Sequence, residues 1–291
     1  MERGVFNTDT GIRCVNSCEI TETVAKLCIE ANINASEEIR SLLEEAVKKE
    51  DKDVSRFALE KLLENLDDAK TFQLPICQDT GMAIVFADVG QNVHITGGTL
   101  ENAINRGVLE GYKNGCLRAS IVRDPFERIN TGDNTPAVIH TRIVEGDRIS
   151  IAVAPKGFGS ENMSRIKMFE PSASQADVVD FIVETVVQAG GNPCPPVIVG
   201  VGIGGSFEYS AEMSKRALLK PLNKPHADHY YADMEKCCLD KINQTGIGPQ
   251  GFGGAVTALA VLIETYPTHI AGLPVAVNMC CHVLRHKASV I

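Results

Sequence analysis

The sequence predicts an α+β fold in which a helical N-terminal segment precedes mixed β-sheets surrounded by helices. Three observations predict it. Apolar residues recur at intervals of three and four through the first quarter of the chain, which is the period of a helix with one buried face. Short, continuously apolar runs bounded by Gly, Pro and Asp begin after Gln73 and read as buried strands. Strands and helices then interleave irregularly, so the pattern is mixed rather than a regular βαβ array.

The helical segment covers residues 1–70 and is clearest from Thr21 to Lys70. Its apolar positions are Val24, Leu27 and Cys28, then Ile39, Leu42, Leu43 and Val47, then Leu59, Leu62, Leu63 and Leu66. Asn34 or Ser36, and Asp53, are candidate N-caps, because their side-chain oxygens can accept from free N–H groups of a first turn. Its many Glu and Lys residues mark solvated faces of a scaffold.

Met82 to Val89 is a predicted buried strand. Thr99 to Arg118 is a predicted helix with Leu100, Ala103, Ile104, Val108 and Leu109 on its apolar side. Pro136 to Val144 and Arg148 to Val153 form strands, and Glu145-Gly146-Asp147 makes them a hairpin candidate. A glycine-bearing loop at 156–162 leads to a helix from Ser174 to Gln188 and an apolar run from Val197 to Ile203. Helices over Glu208–Leu219 and Ala227–Gln244, a glycine-rich loop at 246–254, and strands at Ala255–Ile263 and Leu273–Val277 complete the reading. With no internal repeat or linker, residues 1–291 are expected to form a single domain.

Bulk properties narrow the function. At 291 residues and 44% hydrophobic, the chain can bury a substantial core. A net charge of -9 and a pI near 5.3 leave no basic cluster to neutralise phosphates. The absence of Trp and 5% aromatics remove stacking platforms for single-stranded nucleic acid. No run reaches the ~18 to 20 apolar residues of a membrane helix. Glu2, Arg3, Asn7 and Asp9 break the apolar region a signal peptide would need. Ten cysteines at irregular positions do not form a disulfide framework and suit a reducing compartment, so a cytoplasmic location is expected.

The chemistry concentrates in Cys77-Gln78-Asp79-Thr80-Gly81, where a thiol, an amide and a carboxylate share one glycine-cut turn. Cys194, in Asn192-Pro193-Cys194-Pro195-Pro196, and Cys281, in Asn278-Met279-Cys280-Cys281-His282, also sit in constrained, polar contexts. Three aimed thiolates suggest a metal centre. Cys14, Cys18, Cys28, Cys116 and the pair Cys237-Cys238 read instead as small buried hydrophobes. Paired C-x-x-C spacings are absent, which argues against structural zinc. Gly200-Val-Gly-Ile-Gly-Gly205 matches G-x-G-x-x-G, but its flanks do not open a helix within a βαβ unit. Close backbone packing or a loop on the substrate side is the better reading than a dinucleotide site.

At these residues the chain resembles the iron-sulfur (class I) fumarate hydratases, specifically the alpha subunit of their two-subunit form, a family shared with L-tartrate dehydratase. The resemblance covers most of the chain. It rests on Pro75-Ile-Cys-Gln-Asp-Thr-Gly81, Leu117-Arg-Ala-Ser120, Asn130-Thr-Gly-Asp-Asn-Thr-Pro-Ala137, Lys156-Gly-Phe-Gly-Ser-Glu-Asn162, Cys194-Pro-Pro196 with Gly204-Gly205, Gly248-Pro-Gln-Gly-Phe-Gly-Gly254 and Asn278-Met-Cys-Cys-His282. It implies a [4Fe-4S] cluster held by Cys77, Cys194 and Cys281, with Cys280 the competing third ligand. It implies that Gln78, Arg118 and the backbone of Gly159 bind a dicarboxylate, and that Asp79 and His269 serve acid/base chemistry. His269 lies twelve residues before Cys281, the interval found in the family.

The implied reaction is reversible hydration of fumarate to (S)-malate, with tartrate dehydration as the alternative. A cluster protein for electron transfer or regulation is the reading from another class, and it would call for four cysteine ligands. The longer single-chain relatives continue into a further domain, whereas this sequence ends ten residues after Cys281. The resemblance therefore implies a separate beta subunit that supplies the rest of the active site, in a hetero-oligomer.

Overall fold

The computed structural model describes residues 11–291; Glu2, Arg3, Asn7 and Asp9, on which the signal-peptide reading rests, lie outside the described residues. The architecture is α+β, as the sequence predicts. In chain order the elements begin with β1 (Arg13–Asn16), α1 (Ser17–Ile33), α2 (Glu37–Lys49), α3 (Asp53–Phe72), β2 (Met82–Gly90), β3 (Val93–Thr96) and α4 (Leu100–Asn114). They continue with β4 (Val138–Val144), β5 (Ile149–Lys156), α5 (Phe158–Glu161), β6 (Arg165–Phe169), α6 (Gln175–Ala189) and β7 (Val197–Gly204). The last are α7 (Phe207–Ala217), α8 (His229–Asn243), a 3₁₀ turn (Pro249–Gly251), β8 (Ala258–Tyr266), β9 (Leu273–Cys280) and β10 (Lys287–Val290). No helix among the described residues is long and apolar enough to cross a membrane.

The chain gathers into two compact units, each discontinuous in sequence. The first comprises the described residues through Ile33, Cys77–Lys156 and Arg285–Ile291; the second comprises Asn34–Ile76 and Gly157–Leu284. The helical segment is therefore shared, with α1 in the first unit and α2 and α3 in the second.

In the first unit a four-stranded sheet runs in the order β10-β5-β2-β4. The expected hairpin is not formed. β2 lies between the two strands, parallel to β4 and antiparallel to β5. The turn at 145–147 instead crosses the end of β2: Gln91 N donates to Val144 O at 2.8 Å, Asn92 N to Gly146 O at 2.9 Å, and Gly90 N to Arg148 O at 2.8 Å. A turn signal between two apolar runs thus fixed the reversal but not the partner.

One layer of helix packs α1 on α4, and two glycines of α4 set the spacing. A Cβ on Gly107 would stand 2.7 Å from Thr21 O, and one on Gly111 2.7 Å from Ala25 O. Ala103, Ile104, Val108 and Tyr112 carry the buried face of α4. Leu109, expected on that face, is exposed, because it falls one position beyond the i, i+4 row. The helix also stops at Asn114, before the predicted Arg118.

In the second unit the sheet runs β6-β9-β7-β8, with β7 parallel to β8 and antiparallel to β9. β7 is buried throughout, which explains its unbroken apolar run. Val197, Val199 and Val201 face Val178 and Ile182 of α6 with Met234, Cys238 and Ile242 of α8. Ile198, on the other face, packs with Ile39 and Leu43 of α2 and Leu59 of α3. The G-x-G-x-x-G match is explained here as packing. A Cβ on Gly200 would lie 2.1 Å from Ser214 O, and one on Gly202 2.1 Å from Ser210 O, so bare backbone lets α7 rest on the strand.

Caps follow sequence closely. Ser36, not Asn34, caps α2 by accepting from Ile39 N. Asp53 is the first residue of α3 rather than its cap, which is Lys52. Ser174 and Asp177 form a capping box on α6.

The Gly202 contact generates a stability prediction. Gly202→Ala forces a methyl against helix backbone and should lower unfolding free energy by about 1–3 kcal/mol. Gly272→Ala, where an added Cβ meets nothing within 4 Å, should change it by less than about 0.5 kcal/mol. Urea midpoints measure both, and equal midpoints would contradict the packing account.

Candidate functional site

The Cys77–Gly81 turn is shaped from inside the first unit. Tyr112, only 2% exposed, donates its hydroxyl to the carbonyls of Thr80 at 2.8 Å and Gly81 at 3.0 Å. Burial, reinforced by the neighbouring Cys28 thiol, drives this phenol well above its ordinary range, so it remains a donor at neutral pH. The buried amide of Asn134 adds a bond from Nδ2 to Gly81 O at 3.1 Å. Gly81 is required: its φ is +79°, and a Cβ would stand 2.7 Å from Lys156 N.

Two predicted site residues are placed by this turn. Asp79 Oδ1 accepts from Gly81 N at 3.0 Å, closing an Asx turn that orients the carboxylate. Thr80, 2% exposed, accepts from Arg118 N at 2.9 Å and donates to Arg118 O at 3.1 Å. The backbone of Arg118 is thus pegged to the cysteine turn, and its side chain is exposed. Gln78 is exposed and its Oε1 lies 3.6 Å from the half-buried Cys77 thiol. The first unit therefore brings together Cys77, Gln78, Asp79 and Arg118.

Sequence reasoning missed Thr80, Tyr112 and Asn134 as the parts that hold this arrangement. Signals for two of them were present. Tyr112 continues the buried row Ile104-Val108 at a spacing of four, and Asn134 belongs to the polar 130–137 motif.

In the second unit, Cys194 follows α6 in a tight turn with a left-handed φ of 57°. Its carbonyl lies 3.0 Å from His282 Nδ1, and the next carbonyl, Pro195 O, accepts from Gln250 N at 2.8 Å and Gln250 Nε2 at 2.7 Å. The Cys194 turn is so tied to the segment that carries Cys281. At the end of β9, Cys280 turns into the core, 6% exposed, while Cys281 is half-buried. The glycine-rich loop supplying Gln250 is itself moulded by Glu50, whose buried carboxylate accepts from Ala255 N and Val256 N. A Cβ on Gly254 would lie 2.3 Å from that carboxylate, hence glycine.

Gly159 is the second residue of α5 and is exposed; a Cβ there would meet only Asn192 O at 3.8 Å, so packing does not demand glycine. His269 stands on the exposed loop between β8 and β9. Its Nδ1 accepts from Ala271 N at 3.1 Å, which leaves the proton of the neutral ring on Nε2. The loop is anchored by Thr268 Oγ1 donating to Gly205 O at 2.9 Å.

Among the described residues, neither unit by itself gathers three His, Cys, Asp or Glu side chains into a metal-holding group. The candidate ligands are divided, Cys77 in the first unit and Cys194 and Cys281 in the second. The chemistry of this donor set fits an iron-sulfur cluster: none of the three is in a disulfide, each lies in a turn or just past a strand end, and each is at least half-buried or exposed rather than sealed in a core.

The remaining cysteines divide more sharply than sequence suggested. Cys28 and Cys238 are buried hydrophobes, as expected, and burial pushes both thiols up to about 12. Cys14, Cys18, Cys116 and Cys237 are exposed, which corrects their reading as buried; each falls on the solvent side of its strand, helix or turn.

Thiolate is the reactive form. Alkylation of the native chain at pH 8 should therefore label Cys14, Cys18, Cys116 and Cys237 and spare Cys28 and Cys238 until denaturant is added. Mass spectrometry of the labelled peptides decides this, and early labelling of Cys28 would contradict its burial. The same two thiols make stability fall above about pH 9, because the unfolded chain then releases protons that the folded chain retains.

Known proteins resemble this chain along most of its length. Residues 21–290 match the model of the family described as fumarate hydratase (fumerase). A protein of Methanocaldococcus jannaschii, provisionally named L(+)-tartrate dehydratase subunit alpha, is 40% identical over 269 residues, covering 90% of this chain and 94% of its own length. Proteins named L(+)-tartrate dehydratase subunit alpha from Escherichia coli strain UTI89 and from Shigella sonnei are each 31% identical over 267 residues, covering 90% of this chain and 88% of their own. With residues 21–290 matched, the chain belongs to the fumarate hydratase (fumerase) family.

Proposed function

We propose that this chain is the alpha subunit of an iron-sulfur hydro-lyase that reversibly hydrates fumarate to (S)-malate, acting as one catalytic subunit with a separate beta subunit. The match of residues 21–290 to the fumarate hydratase family carries the reading. The relatives' designation as alpha subunits supports a hetero-oligomer. A chain with no disulfide among ten cysteines is suited to the reducing cytoplasm.

Cys77, Cys194 and Cys281 would hold a [4Fe-4S] cluster; when bound, a cluster with three protein ligands supplies an open iron as a Lewis acid toward a hydroxyl or carboxylate oxygen. Cys281 is preferred to Cys280 because Cys280 is buried in the core at 6% exposed, whereas Cys281 is half-buried. Arg118 grips one carboxylate of the substrate with a planar fork, starting from a backbone pegged by Thr80. Gln78 and the backbone N–H of Gly159 add neutral hydrogen bonds.

Loss of the malate hydroxyl as water requires a proton at that oxygen. Asp79, oriented through its Oδ1 bond to Gly81 N, and His269, whose Nε2 carries the ring proton, are the groups of this chain that hold or deliver it. The base that removes the C3 proton is assigned to the beta subunit.

Tartrate dehydration is the second reading, favoured by the names of the relatives. The substrates differ by one hydroxyl. Anaerobic assays of the co-purified subunits on fumarate, (S)-malate and L-tartrate separate them: turnover should be highest with fumarate and malate, and a preference for tartrate would overturn the first reading. The alpha chain alone should show under about 1% of the complex's rate, since half the groups that stabilise the transition state are missing.

Single Cys77→Ser, Cys194→Ser or Cys281→Ser changes should abolish activity, while Cys237→Ser leaves it intact. Loss with Cys280→Ser but not Cys281→Ser would reverse the ligand choice. Arg118→Lys, which keeps charge but loses the fork, should lower kcat/KM about 10- to 100-fold.

A further inference from the structure

Next to Cys281 stands a side chain with a specific task. His282 is 9% exposed, and its Nδ1 lies 3.0 Å from the carbonyl oxygen of Cys194. A carbonyl can only accept, so Nδ1 carries a hydrogen and donates it. Gln250 Nε2 is 3.4 Å from the same Nδ1. Both nitrogens then bear hydrogens, so that contact is packing; the Gln250 amide spends one of its two hydrogens on Pro195 O at 2.7 Å, beside a second bond to that oxygen from Gln250 N.

Three donors thus converge on two consecutive carbonyls of the Cys194 turn. Both Cys194 and Gln250 are left-handed, with φ of 57° and 52°, a conformation that is unfavourable for a residue bearing a Cβ. The bonds from His282 and Gln250 are what offset it. His282 also follows Cys281 directly, so the same residue fixes the chain at one thiol and holds the carbonyl of the other.

We propose that His282, assisted by Gln250, is a positioning residue of the cluster site: its Nδ1–H clamps the Cys194 carbonyl so that the Cys194 and Cys281 thiols are preset relative to each other before iron arrives. This rests on the reading that both cysteines are cluster ligands. His282 acts through Cys194 and is not itself a ligand through Nδ1. Groups that orient metal ligands in this way typically govern how tightly the metal is kept.

The side-chain chemistry provides its own control. Asparagine places an N–H the same number of bonds from the backbone as Nδ1 does, whereas glutamine places it one bond farther. His282→Ala should release iron to a chelator about tenfold faster or more than the wild-type alpha-beta complex reconstituted anaerobically. His282→Asn should restore retention, and His282→Gln should not. In the cluster-free complex, alkylation of Cys194 followed by mass spectrometry should be faster in His282→Ala than in wild type.

Wild-type iron retention together with wild-type labelling of Cys194 in His282→Ala would overturn the clamp. If that variant does not fold, Gln250→Ala should show both effects in weaker form, and wild-type behaviour there overturns it equally. If the wild-type complex takes up no iron, the ligand reading itself falls. The Cys194 labelling rates then decide the clamp alone: faster in the variant supports it, and equal rates refute it.

Discussion

The hydroxyl of Tyr112 is the interaction on which the candidate chemistry of the first unit depends. It meets the buried carbonyls of Thr80 and Gly81, where an unmet backbone carbonyl would cost about 1–3 kcal/mol. Tyr112 reaches them only because α4 lies close against α1, and it lies close only because Gly107 and Gly111 present no side chain to Thr21 and Ala25. From the fixed turn, the consequences run outward. Asp79 is oriented by Gly81 N, Thr80 pegs the backbone of Arg118, and Cys77 and Gln78 enter from the same short segment.

The second unit solves the same problem with different residues. There His282 and Gln250 take the place of Tyr112 and Asn134, and the carbonyls of Cys194 and Pro195 take the place of those of Thr80 and Gly81. In both, a cysteine-bearing turn is gripped by side-chain donors through its backbone oxygens. The glycine-rich segment behind Gln250 is moulded by the Glu50 carboxylate, which explains why that motif tolerates so little side chain.

Much of this was legible in sequence. Long helices with a regular apolar row, such as α6, and strands buried on both faces, such as β7, announce themselves by period and length. The short strands β1, β3, β6 and β10, with four or five residues each, carry too few alternations to register, and they depend on partners distant in the chain. The β4–β5 hairpin failed for a related reason: local turn chemistry specifies a reversal, while insertion of β2 between the strands is a tertiary choice. The residues quoted as motifs were recognisable as chemistry, but the support that Thr80 gives to Arg118 was not, since a buried hydroxyl looks in sequence like any other polar residue. Exposure of Cys14, Cys18, Cys116 and Cys237 was likewise invisible, because a cysteine on a solvent face and one in a core are written alike.

The proposed chemistry requires that Cys77, Cys194 and Cys281 hold a cluster that meets substrate. The most direct measurement is iron and sulfide analysis of the anaerobically reconstituted alpha-beta complex, with cluster spectroscopy before and after malate is added. Iron and sulfide in equal amounts near about four of each per alpha chain, with a spectrum that changes on adding malate, is the predicted result. A complex that binds no iron, or holds a cluster indifferent to malate, would contradict it.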